Sequence, residues 1–176
     1  MSFSDRLRIE TKNCHLIVDK HPFVSLIKSN SKAGYLYMQF NKICVLELQK
    51  HKFGSDLFDK FKYDISEKDI DLSLKSKLNL FLERCNKYYL EHFYMIQLGL
   101  LFGGNMLKKI LPEDEKYFFD TLNLSDKERI QLIQEFKTYL DNSITTESEQ
   151  LTFIKNVNDS YLIIKDIFDN FLLLLN

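Results

Sequence analysis

Three of the five glycines in this 176-residue chain, Gly99, Gly103 and Gly104, fall within six consecutive positions. They lie in the apolar run HFYMIQLGLLFGGNMLKKI, from His92 to Ile110, which otherwise has the composition of a helix. Each glycine weakens a helix by about 1 kcal/mol relative to alanine, because its backbone loses more freedom on folding. A helix that carries three of them has to bend, or to lie against something that a Cβ would obstruct. Close packing on another helix meets the second condition, and so does a helix bent over a planar ligand.

The remainder of the chain is also patterned as helix. Prolines occur only at Pro22 and Pro112, between apolar-periodic segments, and neither Asn-Gly nor Asp-Gly appears as a hairpin signal. Ser4 or Asp5 is placed to cap a first helix running to about His21. Further helices are predicted over Phe23–Lys28, over Lys32–Lys52 with a stop at Gly54, and briefly around Leu57–Phe61. A long helix is predicted over Leu72–Leu111, bent or interrupted at the glycines. After Pro112 come a short helix near Tyr117–Leu122, one over Ser125–Leu140, and a last one from Thr146 towards Leu174. The expected fold class is all-α: one domain, residues 1–176, built as a bundle of about six to eight helices.

With 45% apolar and 28% charged residues the chain has the composition of a soluble globular protein, and a net charge of −1 gives no reason to expect nucleic acid as a partner. Cys14, Cys44 and Cys85 are odd in number and widely spaced, which indicates neither a zinc site nor a disulfide framework. They read as buried free thiols in a reducing compartment. The opening MSFSDRLRIE has no apolar leader segment, and no run is long enough to span a bilayer, so a cytoplasmic protein is expected.

The residues with ligand chemistry sit near the N-terminus, in LRIETKNCHLIVDKHPF. His15 lies in an apolar stretch, with Asp19 one turn later on the same helical face. A lone histidine facing a core is more often structural, and a surface His–Asp contact explains the pair without any metal. A carboxylate at this spacing is nevertheless the group to which metal-binding histidines donate their second ring N–H. Arg8 and Lys12 precede it on the same helix and suit a ligand with carboxylates, although a solvated basic stripe is their default reading.

Together these segments resemble the heme oxygenase family. Thr11–His15, T-K-x-x-H with Asp19 following, is similar to the family's proximal helix. His92, Tyr94, Leu98, Gly99, Leu101, Gly103, Gly104 and the LKKI of Leu107–Ile110 stand where its distal-helix signature has the same residues. Asn142–Ile144 and the stretch from Tyr161 are similar, less specifically, to its closing helices. The resemblance implies heme, iron protoporphyrin IX, as ligand. His15 would be the axial iron ligand and Asp19 its orienting partner. Arg8, Lys12 and Tyr94 would meet the propionate edge, with Lys137 as a further basic residue, and Gly99, Leu100, Gly103 and Gly104 would form the distal wall. It also implies a monomer served by a ferredoxin or flavoprotein reductase.

The pattern breaks at the distal polar positions. The family's L-G-D-L-S-G-G here reads Leu98-Gly99-Leu100-Leu101-Phe102-Gly103-Gly104, so that an aspartate becomes Leu100 and a serine Phe102. Ile96 stands where an arginine is common, and Gln97 replaces an aromatic. Leucine neither accepts nor relays a proton, and Phe102 is expected to dry the same space. Two readings follow: a divergent oxygenase that cleaves heme to biliverdin, CO and iron, or an inactive heme binder, sensor or protein-interaction module. A di-iron centre on the same scaffold is disfavoured, because Glu91-His92 and Glu47 with His51 lack the Glu-x-x-His spacing. A helical protein-binding module without cofactor would show a glycine helix packed tightly against the first helix, with no gap for a porphyrin.

Overall fold

The computed structural model describes residues 1–51, 56–109 and 124–176, apart from the side chains of 104–106. The expected helix near Tyr117–Leu122, Pro112 and the stop at Gly54 lie outside the described residues. The described residues are all-α. In chain order they form α1 (Phe3–Glu10), α2 (Lys12–Asp19), α3 (Pro22–Leu26), α4 (Ser31–Leu48) and α5 (Asp56–Asp59). A 3₁₀ turn, Glu67–Asp69, leads to α6 (Leu72–Lys77), α7 (Asn79–Lys87) and α8 (Tyr89–His92). A π-helical segment, Phe93–Leu98, continues into α9 (Gly99–Leu107), and α10 (Asp126–Ser143) and α11 (Glu147–Leu175) complete the order.

The two last helices start at capping boxes. Ser125 and Thr146 each accept an N–H through the side-chain oxygen, from Glu128 and Glu149 respectively, and each glutamate reaches back to the cap backbone. The first predicted helix is in fact two. Ser2, not Ser4 or Asp5, is the cap, and the helix breaks at Thr11, whose buried hydroxyl donates to the Leu7 carbonyl at 2.7 Å. Thr11 has the backbone of a helix end (φ −99°, ψ −5°), and α2 starts from it. The long helix predicted over Leu72–Leu111 is likewise cut, at Leu78 and Tyr88, and changes to π geometry before the glycines.

α11 is the spine: α1, α2, α3, α4 and α8 all pack along it. His21 fixes α3 to it. Its Nδ1 accepts the Phe23 N–H at 3.2 Å, so that Nε2 carries the proton and donates to Asp169 on α11 at 3.0 Å. Arg84 fixes α7, donating to Ser160 Oγ at 2.8 Å and to the Asn156 carbonyl at 3.1 Å. Two phenylalanine clusters fill the interior. Phe23 and Phe40 close on Phe168 and Phe171 of α11, with Phe23–Phe168 centroids 5.0 Å apart. Phe93, first residue of the π segment, is held by Phe58 and Phe61 at 4.9 Å and by Phe136 at 5.2 Å. Edge-to-face contacts of this kind add about 0.5–1.5 kcal/mol each beyond burial, which anchors the π segment where it begins.

Candidate functional site

α2 carries the first group of candidate residues and buries none of its own side chains completely. His15 is half exposed. Its Nε2 lies 3.3 Å from Asp19 Oδ1, and its ring stands 5.2 Å from the ring of Tyr161, tilted by 35°. The carboxylate lies beside Nε2, which leaves Nδ1 as the candidate lone-pair donor. Tyr161 belongs to α11, and burial pushes its phenol well above the ordinary tyrosine range. It is a neighbour of His15 that the sequence does not advertise, because only the packing of α2 on α11 brings it there.

Arg8 and Lys12 are exposed and pair with no carboxylate among the described residues. Arg6 is different, being committed to Glu10 at 2.6 Å and Glu147 at 2.8 Å. Among the described residues these two cations, Arg8 on α1 and Lys12 at the start of α2, therefore have no carboxylate partner. Lys137 is half-buried on α10. It sits one turn before Asp141, which accepts the Ser4 N–H at 2.6 Å and the Ser4 hydroxyl at 3.1 Å.

The second group is on the π segment and α9. Tyr94 joins the two groups: burial raises its phenol, while the Thr11 hydroxyl and the Arg8 charge act to lower it. The segment beyond it turns apolar. Leu98, Leu100 and Leu101 are buried, as is Ile96. Gly99 is exposed, and Cβ atoms built on Gly99 and Gly103 would meet nothing within 4 Å. Close helix–helix packing is therefore not what these two glycines provide; they leave one side of α9 open. Gly104 follows in the same helix.

Leu100, at the position where the resemblance expects an aspartate, is 4% exposed and faces the packed interior. Phe102 does not dry the interior as expected from the sequence. It is 63% exposed, because the buried side of α9 is already taken by Leu98, Leu100 and Leu101. Gln97 is the buried polar residue of this segment, 1% exposed, and both of its amide atoms lack a hydrogen-bond partner. Among the described residues no three His, Cys, Asp or Glu side chains converge as a metal-ligand set. None of the described helices is long and apolar enough to cross a membrane.

No family model matches the sequence, and no curated protein matches it. The structure is similar to the crystal structure of heme oxygenase-1 from the cyanobacterium Synechocystis sp. PCC6803 in complex with heme. The TM-score is 0.73 at 16% sequence identity, over 99% of this chain and 94% of that one.

Proposed function

We propose that this chain, whose fold is heme-oxygenase-like, binds heme with His15 as the axial ligand. The observation that carries the reading is the open side of α9. A helix with two glycines whose missing side chains would touch nothing has the surface that a flat macrocycle needs. The proximal residues fit the same group. One nitrogen of His15 is oriented by Asp19, and the other is available to iron. Arg8 and Lys12, without a carboxylate partner among the described residues, are suited to the two propionates, with Tyr94 near Arg8 and Lys137 as a further basic candidate on α10. Heme supplies an iron that takes up oxygen and a ring that oxygen chemistry can open to biliverdin, CO and iron.

The chain's own residues favour binding without that cleavage. Leu100 is buried among leucines and can hold neither a proton nor a water. Phe102 is exposed and carries no hydroxyl, so it does not stand in for the missing serine. Were the ring cut, electrons would come from a ferredoxin or a flavoprotein reductase.

Titration with hemin tests the reading. A protein-bound Soret band is expected, and His15→Ala should abolish or strongly shift it while far-ultraviolet circular dichroism stays unchanged. An unaltered spectrum in the variant removes the axial-ligand assignment. A time course in air with ascorbate and catalase separates the two fates. A persistent Soret band is the expected result, and decay to biliverdin would show that this wall does support turnover.

A further inference from the structure

One phenylalanine of this chain stands apart from the rest. Among the described residues every other phenylalanine is buried and lies against a further aromatic ring. Phe102 is 63% exposed and has no ring partner among the described residues. An exposed ring forfeits the stabilisation that burial and ring contact would supply. A single apolar residue on a surface carries no message by itself. The position of this one does.

Phe102 follows Gly99 by three residues, the separation at which helical positions are neighbours, and it directly precedes Gly103. Long side chains on a helix lean towards its N-terminus, over the preceding turn, and here that turn holds Gly99. Yet a Cβ built on Gly99 would meet no atom within 4 Å, those of the Phe102 ring included. The ring therefore stands beside the bare strip without covering it. Floor and flank together suit a flat, apolar ligand. Nothing on this stretch addresses a metal: Leu100, Leu101, Phe102 and Leu107, the described side chains of α9, neither coordinate an ion nor donate a hydrogen bond.

Resting on the heme reading above, we propose that Phe102 is a binding residue for the ring system of the tetrapyrrole, so that α9 selects the planar macrocycle whether or not it carries a metal, and His15 alone selects iron. Where the resemblance expects a serine, a hydroxyl is exchanged for an aromatic surface. Contact with that surface excludes water from the margin of the macrocycle and adds dispersion over many atom pairs. The ligand class is accordingly a planar tetrapyrrole, free base or metallated.

The test titrates hemin and metal-free protoporphyrin IX into the full chain, following the Soret band of the first and the fluorescence of the second. Both should bind. Phe102→Ala should weaken both by about ten-fold, with the melting temperature hardly changed at so exposed a position. Phe102→Trp, which keeps an aromatic face, should retain both affinities. His15→Ala should weaken hemin and leave the free base as it was. With diamagnetic gallium(III) protoporphyrin IX, the Phe102 ring protons, identified by their loss in Phe102→Ala, should be displaced by the ring current of the macrocycle. Hemin held through His15 with Phe102→Ala at full affinity would overturn the proposal and leave heme binding standing. Hemin binding without any binding of the free base would do the same. If the parent chain takes up neither tetrapyrrole, the heme reading fails and this proposal with it. A concentration-dependent dimer that Phe102→Ala dissolves, at unchanged tetrapyrrole affinity, would assign the ring to a second copy of the chain instead.

Discussion

α2 and α9 each leave a helix face uncovered, by opposite means. On α2 the face is made of side chains: Lys12, His15 and Asp19 stand out from a helix with no fully buried residue. On α9 the face is made by side chains that are missing, at Gly99 and Gly103, while leucines bury the opposite side. The first surface depends on which group is present and the second on there being none. Substitutions should therefore act differently on the two, and on the two sides of α9.

The largest effect is expected behind the open face. Leu100→Asp puts a carboxylate in a site that is 4% exposed and lined by apolar side chains, and should lower unfolding free energy by about 3 kcal/mol or more in denaturant titrations. A variant of nearly unchanged stability would mean that water already reaches that side. On the open face the expectation reverses. Gly99→Phe should reduce hemin affinity by about 100-fold, through loss of the flat contact, and leave the fold intact. Gly99→Ala should raise stability by about 0.5–1 kcal/mol, since the added methyl meets no atom and reduces the freedom of the unfolded chain. A lower melting temperature for Gly99→Ala would erase the contrast between the two sides of α9.

At the α1–α2 end, Arg8→Ala and Lys12→Ala should each weaken hemin binding several-fold, by about 1 kcal/mol, with the loss shrinking as salt is added and the melting temperature hardly moving. The smallest effect concerns pH. The caps Ser125 and Thr146 hold Glu128 and Glu149 below their usual range by hydrogen bonding to the charged form. Their contribution is present above the unfolded glutamate pKa and is lost as pH falls through the lowered folded values. Hydrogen exchange at the first turns of α10 and α11 should quicken in that acid window, and Glu149→Gln should remove the response from α11 alone.

Much of this architecture is written locally in the sequence. Ser125 and Thr146 announce their helices with a glutamate three residues on, and α10 and α11 begin there as predicted. The glycine cluster and the spacing of His15 and Asp19 are equally local, which is why they were legible. The breaks at Thr11, Leu78 and Tyr88 were not, because no proline or glycine marks them. The break at Thr11 shows only in the backbone angles of the folded chain, and the burial of this threonine is a tertiary fact. Phe102 was misread for the same reason: its residue type says interior, but the inward side of α9 is already filled. Tyr161 beside His15 pairs across helices far apart in the chain and leaves no trace in local pattern.

The π geometry of Phe93–Leu98 sets the azimuth of everything after it. An α-helix advances about 100° per residue, so a segment that lodges an additional residue in a wider turn takes up the angular offset which that residue would otherwise impose on the stretch after it. Phe93 is clamped by three aromatic rings at one end of that offset, and Gly99 begins α9 at the other. Winding the same six residues as α-helix, with none removed, would swing α9 by about a quarter turn. The glycines would then rotate out of register with the opening, and a bulkier neighbour would take their place. The wider winding of this one turn, as much as the identity of the glycines, decides which side of the helix is bare.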